Sequence, residues 1–212
     1  MEITRHETKG YKELLVPYTL FKQEQPKGLV IVLPGLGYTA QAPLLHYTTG
    51  IYINRGFDVL QVNYRYSSPD YDHFDQSELI KALNFDIHTV INTLLENESY
   101  EDYYLIGKSL GTIAVSSLLK METFSQAKTV WMTPLLHKDD VRAAMLNHHA
   151  EGLCFIGSED PYYQEERFNQ LKHNAALSSF CFPEADHSLE LKKDTQGSIK
   201  ILSDIMDQIN SF

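Results

Sequence analysis

The stretch Tyr103–Lys120, YYLIGKSLGTIAVSSLLK, constrains the fold of this chain more than any other. Tyr103 to Ile106 is a short apolar and aromatic run of strand type, and Ile113, Leu118 and Leu119 carry the spacing of a buried helix face. Between them stands Gly107-Lys108-Ser109-Leu110-Gly111, the pattern G-x-S-x-G. A strand that turns directly into a helix forces the turning residue into a strained backbone conformation, and a Cβ two residues away on either side would crowd it. Glycine at both flanks relieves that crowding. The expected product is a serine hydroxyl held at the top of a sheet, with the Leu110 N–H at the start of the next helix available to a developing oxyanion. Lys108 is expected to be exposed on the turn.

Gly107-Lys108-Ser109 after a strand also resembles the end of a phosphate-binding loop. That motif requires a glycine at position 102, so that backbone amides can wrap a phosphate. Position 102 is Asp102, preceded by Glu101, and two carboxylates there oppose a polyphosphate.

Strand-like runs alternate with helical ones along the rest of the chain. VPYTLF, within Tyr11 to Gln25, predicts a strand pair or hairpin, followed by a turn at Pro26-Lys27-Gly28. Leu29 to Leu33 is continuously apolar, as a strand buried on both faces should be, and stops at Pro34-Gly35-Leu36-Gly37. A helix over Ala42 to Arg55 precedes a strand at Val59 to Val62, which ends in Asn63-Tyr64-Arg65-Tyr66. After a polar loop from Ser67 to Gln76, the spacing of Leu79, Ile80, Leu83, Ile87, Val90, Ile91, Leu94 and Leu95 predicts an amphipathic helix over Ser77 to Asn97. Beyond the G-x-S-x-G segment come a strand at Thr129 to Thr133, a helix at Lys138 to Leu146 and a strand at Leu153 to Gly157. A helix near Tyr163 to His173, a strand at Ser179 to Phe182 and a helix from Thr195 to Ile209 complete the chain. The alternation predicts an α/β fold, a mostly parallel sheet with helices on both faces, in one domain over residues 1–212. Functional residues in such sheets lie at the carboxyl ends of the strands.

A serine needs a base within hydrogen-bond reach, and the base needs a carboxylate to orient it. Gly157-Ser158-Glu159-Asp160-Pro161 follows one late strand, and Glu184-Ala185-Asp186-His187-Ser188 follows the next. Of the chain's nine histidines only His187 follows the final strand. Asp160 is the acid favoured here, with Glu159 and Asp186 as competitors. A duller reading makes Asp160 a helix cap and Ser109 an ordinary helix-start serine.

In these motifs, the chain resembles the α/β-hydrolase superfamily from Leu29 onward: G-x-S-x-G at Ser109, GSEDP at Asp160, ADHSLE at His187, and the early loop LPGLG. The resemblance implies catalysis by Ser109, His187 and Asp160. It also implies an oxyanion hole made by the amides of Leu110 and of Leu36, with Gly37 the competitor for the second. The early loop departs from the superfamily's common His-Gly form, having Pro34-Gly35. Only about twenty residues separate the strands between which many members insert a cap, room for one crossover helix, so a minimal fold without a cap and an open, shallow site are expected. Gly37, Tyr64, Arg65, Pro134 and Tyr162 are candidate pocket residues, with the segment from Trp131 to Leu136 bordering one side. Arg65 is suited to a substrate carboxylate.

The expected reaction is cleavage of a small carboxylic ester or related acyl substrate, with no cofactor. Thioester and small-amide cleavage, and a monomer or a homodimer, fit the sequence equally. Two alternatives from other classes are a hydrolase-fold ligand-binding protein with little turnover, and an interaction module presenting Asp70, Asp72 and Asp75 to a basic partner. A net charge of −10 with no basic run argues against nucleic-acid and anionic-membrane partners. The first residues lack the apolar core of a secretory signal, which leads to the expectation of a cytoplasmic protein. Cys154 and Cys181 then read as apolar strand residues. His148 with His149, and His73 beside its aspartates, lack a spacing that fixes metal ligands on one face, so no metal is expected.

Overall fold

The computed structural model describes residues 1–96 and 98–212. Among the described residues, eight strands form one sheet in the order β1-β2-β4-β3-β5-β6-β7-β8. They are β1 (Glu2–Lys9), β2 (Leu15–Lys22), β3 (Leu29–Leu33), β4 (Asp58–Val62), β5 (Tyr103–Lys108), β6 (Lys128–Met132), β7 (Gly152–Gly157) and β8 (Leu177–Phe182). β3 to β8 are parallel, and β1 and β2 add an antiparallel edge. Among the described residues the α-helices are α1 (Pro43–Asn54), α2 (Gln76–Leu95), α3 (Leu110–Leu118), α4 (Asp139–Asn147), α5 (Glu165–Gln170) and α6 (Thr195–Ser211).

The two faces of the sheet are buried in separate apolar layers. Val30, Val32, Ile106 and Phe155 pack with α1 and α6 on one side, and Leu29, Ile31, Leu105 and Cys154 pack with α2 to α4 on the other. This accounts for the continuous apolar run of β3, since both alternating sets of side chains leave water. The apolar stripe of α2 divides in use. Leu83, Ile87, Val90 and Ile91 are fully buried in the core, whereas Leu79 and Ile80 reach only its edge. Asp75 caps this helix by accepting from the Glu78 N–H at 2.8 Å. The helix end expected at Asn97 lies outside the described residues.

Three expectations change. The hairpin partner of the VPYTLF strand is Glu2–Lys9 and is not contained within residues 11–25. This strand's EITRHETK gives no apolar signal because it lies at the sheet edge, largely exposed on both faces. Cys181 is only half-buried, in the strand at the opposite edge, while Cys154 is buried. Trp131 does not border the site: it is buried in β6, and its Nε1–H donates to Thr129 Oγ1 at 2.9 Å.

Candidate active site

Ser109 stands between β5 and α3 with φ 51° and ψ −112°, a conformation that a side-chain-bearing residue adopts only under tertiary constraint. Its N–H is held by the Met132 carbonyl at 3.0 Å. The flanking glycines are required by close approach. A Cβ on Gly111 would lie 2.0 Å from the Leu33 oxygen, and one on Gly107 would lie 2.7 Å from Val115 Cγ2. Helix α3 can therefore press against β3 and β5 and leave the Ser109 side chain at the carboxyl edge.

The loops after β7 and β8 bring the other two groups to this edge. His187 Nδ1 is 2.7 Å from Asp160 Oδ2, and His187 Nε2 is 2.8 Å from Ser109 Oγ. A carboxylate at Nδ1 accepts a hydrogen bond, so that nitrogen carries the proton and Nε2 is left to accept from the serine hydroxyl. Asp160 is buried, and its other oxygen accepts from the Tyr162 N–H at 2.8 Å. The competing acids are placed otherwise. Asp186 Oδ1 accepts from the amides of Ser188 and Glu190 within its own loop, and Glu159 is exposed. Tyr162 stands edge-on to the imidazole at 5.2 Å between ring centroids and stacks on His137 at 4.9 Å. Burial, followed by the nearby charges of Lys138 and Arg167, pulls the His137 pKa down.

Two cavities meet at Ser109. One, of about 330 Å³, is lined by Gly35, Leu36, Gly37, Lys108, Tyr162 and His187. The other, of about 310 Å³, is largely apolar, with Leu79, Ile80, Leu110, Ile113, Leu135 and Phe74 on its walls. Leu110 opens α3, so its N–H has no acceptor within the helix, and Leu36 from the loop after β3 lines both cavities. Gly37 and Tyr162, both pocket candidates, line the first of these cavities. Pro134 does not: it is buried, and Leu135 takes its place on the cavity wall. Tyr64 and Arg65 border a separate groove of about 800 Å³ with Arg5, Asn63 and Ser68, which shares only Gly35, Leu36 and Gly37 with the serine cleft. Tyr64 is moreover a core residue whose hydroxyl donates to the Pro34 carbonyl, while the Tyr66 hydroxyl, also buried, donates to Asp86 Oδ2 at 2.7 Å.

Lys108 reverses the expectation of exposure. It is 1 % exposed, with Nζ donating to Thr133 Oγ1 at 2.7 Å and to the His187 carbonyl at 2.8 Å. The reason is tertiary: Lys108 is the last residue of β5, and β3 and β6 flank that strand on either side. Burial lowers its pKa to about 8, against the opposing influence of Asp160 and Asp186. Leu79, Ile80 and Phe74 were also missed as site residues. The amphipathic pattern of α2 contains the first two but does not say where the core ends and the cleft begins.

A fold of this topology, with a serine at a strand-to-helix turn and a histidine and a carboxylate on later loops, defines an α/β hydrolase. The family model described as alpha/beta hydrolase domain matches residues 26–212, and the chain belongs to that family. Comparison with curated protein sequences gives no match. Among solved structures, an esterase from Pyrococcus furiosus superposes with a TM-score of 0.74 at 12% identity, covering 99% of this chain and 91% of that one. An α/β serine hydrolase without a lid from Xanthomonas campestris gives 0.71 at 13% identity over 99% and 93%. A serine hydrolase homologue from Coxiella burnetii gives 0.70 at 13% identity over 98% and 96%. At such identities, the likeness is one of fold.

Proposed function

We propose that the protein is a serine hydrolase of carboxylesterase type, cleaving a small ester or related acyl substrate through an acyl-enzyme. The observation that carries this reading is the continuous hydrogen-bonded chain from Asp160 through His187 to Ser109. His187 Nε2 takes the serine proton as Oγ attacks the acyl carbon, and Asp160 holds the tautomer and stabilises the imidazolium that forms. The amides of Leu110 and Leu36 receive the oxyanion, and the protonated His187 delivers its proton to the leaving alcohol. Water, activated by the same imidazole, then releases the acid.

The apolar cavity beside Ser109 suits a short or medium acyl chain, which would lie along Leu79, Ile80, Ile113 and Leu135. The esterase from Pyrococcus furiosus shows that this fold supports ester cleavage in another protein. A small-molecule acyl substrate and a cytoplasmic location remain part of the proposal. Among the described residues no helix is long and apolar enough to cross a membrane.

The test is reaction with a serine-directed fluorophosphonate, together with p-nitrophenyl ester release from acetyl to octanoyl. Phosphonylation of Ser109, and turnover reduced at least a thousandfold in Ser109→Ala, are expected. Absence of labelling, with release equal in wild type and Ser109→Ala, would overturn the mechanism. Labelling without steady turnover would favour the ligand-binding alternative.

A further inference from the structure

We propose that Lys108 is a positioning residue whose ammonium ties the nucleophile strand to the His187 loop and so keeps the imidazole aligned with Ser109. The inference rests on the serine-hydrolase reading above. Its foundation is a convergence of loops on one buried cation. Tyr38, from the loop after β3, puts its ring 4.7 Å from Nζ. Thr133, just after β6, supplies Oγ1, and the loop after β8 supplies the His187 carbonyl.

The histidine loop needs such an anchor. Within it, Leu189 N–H reaches the Asp186 carbonyl at 3.0 Å and the Ser188 amide reaches the Asp186 side chain at 2.7 Å, and toward the loop after β7 the Glu159 N–H donates to the Ala185 carbonyl and the Glu184 N–H to Ser158 Oγ, each at 2.9 Å. These shape the turn and join it to the acid loop, but they do not reach the nucleophile strand β5. Lys108 supplies that connection at the backbone of the very residue whose ring must meet Ser109. An apolar side chain would fill the same volume without the desolvation penalty, so packing alone does not explain a lysine here. The titratable groups facing the ammonium are Asp160 from the loop after β7, Asp186 and His187 from the loop after β8, and Tyr38 from the loop after β3. The two carboxylates favour its charge and burial opposes it, with the outcome that Lys108 titrates near 8. Loss of the proton removes one donor and the charge from the tether.

The experiment compares wild type with Lys108→Met on a p-nitrophenyl ester across pH 6 to 10, with hydrogen exchange of the Asp186–Glu190 amides measured in parallel. Expected are a fall in kcat of about tenfold or more with KM unchanged within about twofold, since misalignment of a reacting group costs rate more than binding. Also expected are an alkaline decline near pH 8 in wild type that the variant lacks, and faster exchange in the variant's histidine loop. A folded variant with wild-type kcat and pH profile overturns the proposal. If Lys108→Met does not fold, Lys108→Gln, polar but too short to reach both acceptors, carries the same expectations. Absence of turnover in wild type would be a failure of the serine-hydrolase reading. The tether is then decided by exchange alone, and equal rates in wild type and variant overturn it.

Discussion

Two buried ionisable side chains occupy opposite ends of the sheet and use the same chemistry. At the amino end of β4, Asp58 accepts from the Gln23 N–H at 2.7 Å and from the Tyr100 hydroxyl at 2.8 Å, joining the turn after β2 to the segment before β5. At the carboxyl end of β5, Lys108 donates to Thr133 and to His187. Each gathers three stretches of chain around one charge, and each is essentially inaccessible to water. The difference lies in what hangs from the partners. Those of Asp58 are connections that carry no part of the site, whereas one partner of Lys108 is the backbone of His187. In a parallel sheet the loops at the carboxyl ends converge on the chemistry and those at the amino ends do not. A buried charge is therefore a scaffold clamp at one end and an alignment device at the other.

The largest expected effect belongs to the carboxyl end. His187→Ala should lower kcat/KM for ester cleavage by roughly three orders of magnitude or more while the thermal midpoint stays within a few degrees, as read by steady-state kinetics and a melting curve. A loss confined to one or two orders would mean that His187 is not the base.

Next is the stability cost of Lys108. Its native pKa of about 8 lies below the ordinary 10.5, so the native state holds fewer protons than the unfolded chain between those values. Stability contributed by this group therefore rises with pH through that window, and the full net cost of its buried charge, on the order of 3 kcal/mol, is present below pH 8. Unfolding of wild type and Lys108→Met at pH 7 and pH 10 should show wild type gaining on the variant at the higher pH, with the variant no less stable at pH 7. A variant that is both less active and much less stable at pH 7 would make Lys108 a scaffold clamp like Asp58, and the contrast would collapse.

Asp58→Ala tests the other end. Leaving the Gln23 amide and the Tyr100 hydroxyl without their acceptor should cost about 2 kcal/mol, a melting point lower by roughly 4–8 °C, with kcat changed less than twofold. A large fall in kcat would show that the amino end is coupled to the site. The smallest effect sharpens the pocket. Ile80→Ala should lower the preference for longer over shorter acyl esters by about 1 kcal/mol, some fivefold in relative kcat/KM, leaving acetyl ester cleavage nearly unchanged.

Five of the six parallel strands, β3 to β7, were legible because each is a short, mainly apolar run buried on both faces, and the helices between them because α2 and α6 keep one face apolar. β1 escaped because an edge strand exposed on both sides needs no apolar pattern. The order of Ser109, Asp160 and His187 was legible from local turn chemistry at three strand ends. Tyr64 and Pro134 were misassigned for one reason: a position just past a strand can point into the cleft or back into the core, and spacing does not say which. Tyr64 and Tyr66 turn inward, to the Pro34 carbonyl and to Asp86.

By itself, the sequence determined the α/β class, the strained serine turn and the strand ends that carry the acid and the histidine, because these depend on local periodicity and on residues adjacent in the chain. Tertiary structure alone decided that Lys108 is buried beneath the histidine loop, that Leu79 and Ile80 leave the core to wall a cavity, and that Arg65 faces a different groove. Burial and side-chain direction at a loop are set by contacts between segments distant in sequence, here as far apart as Lys108 and His187. No local pattern encodes such a contact until the sheet has brought its strand ends together.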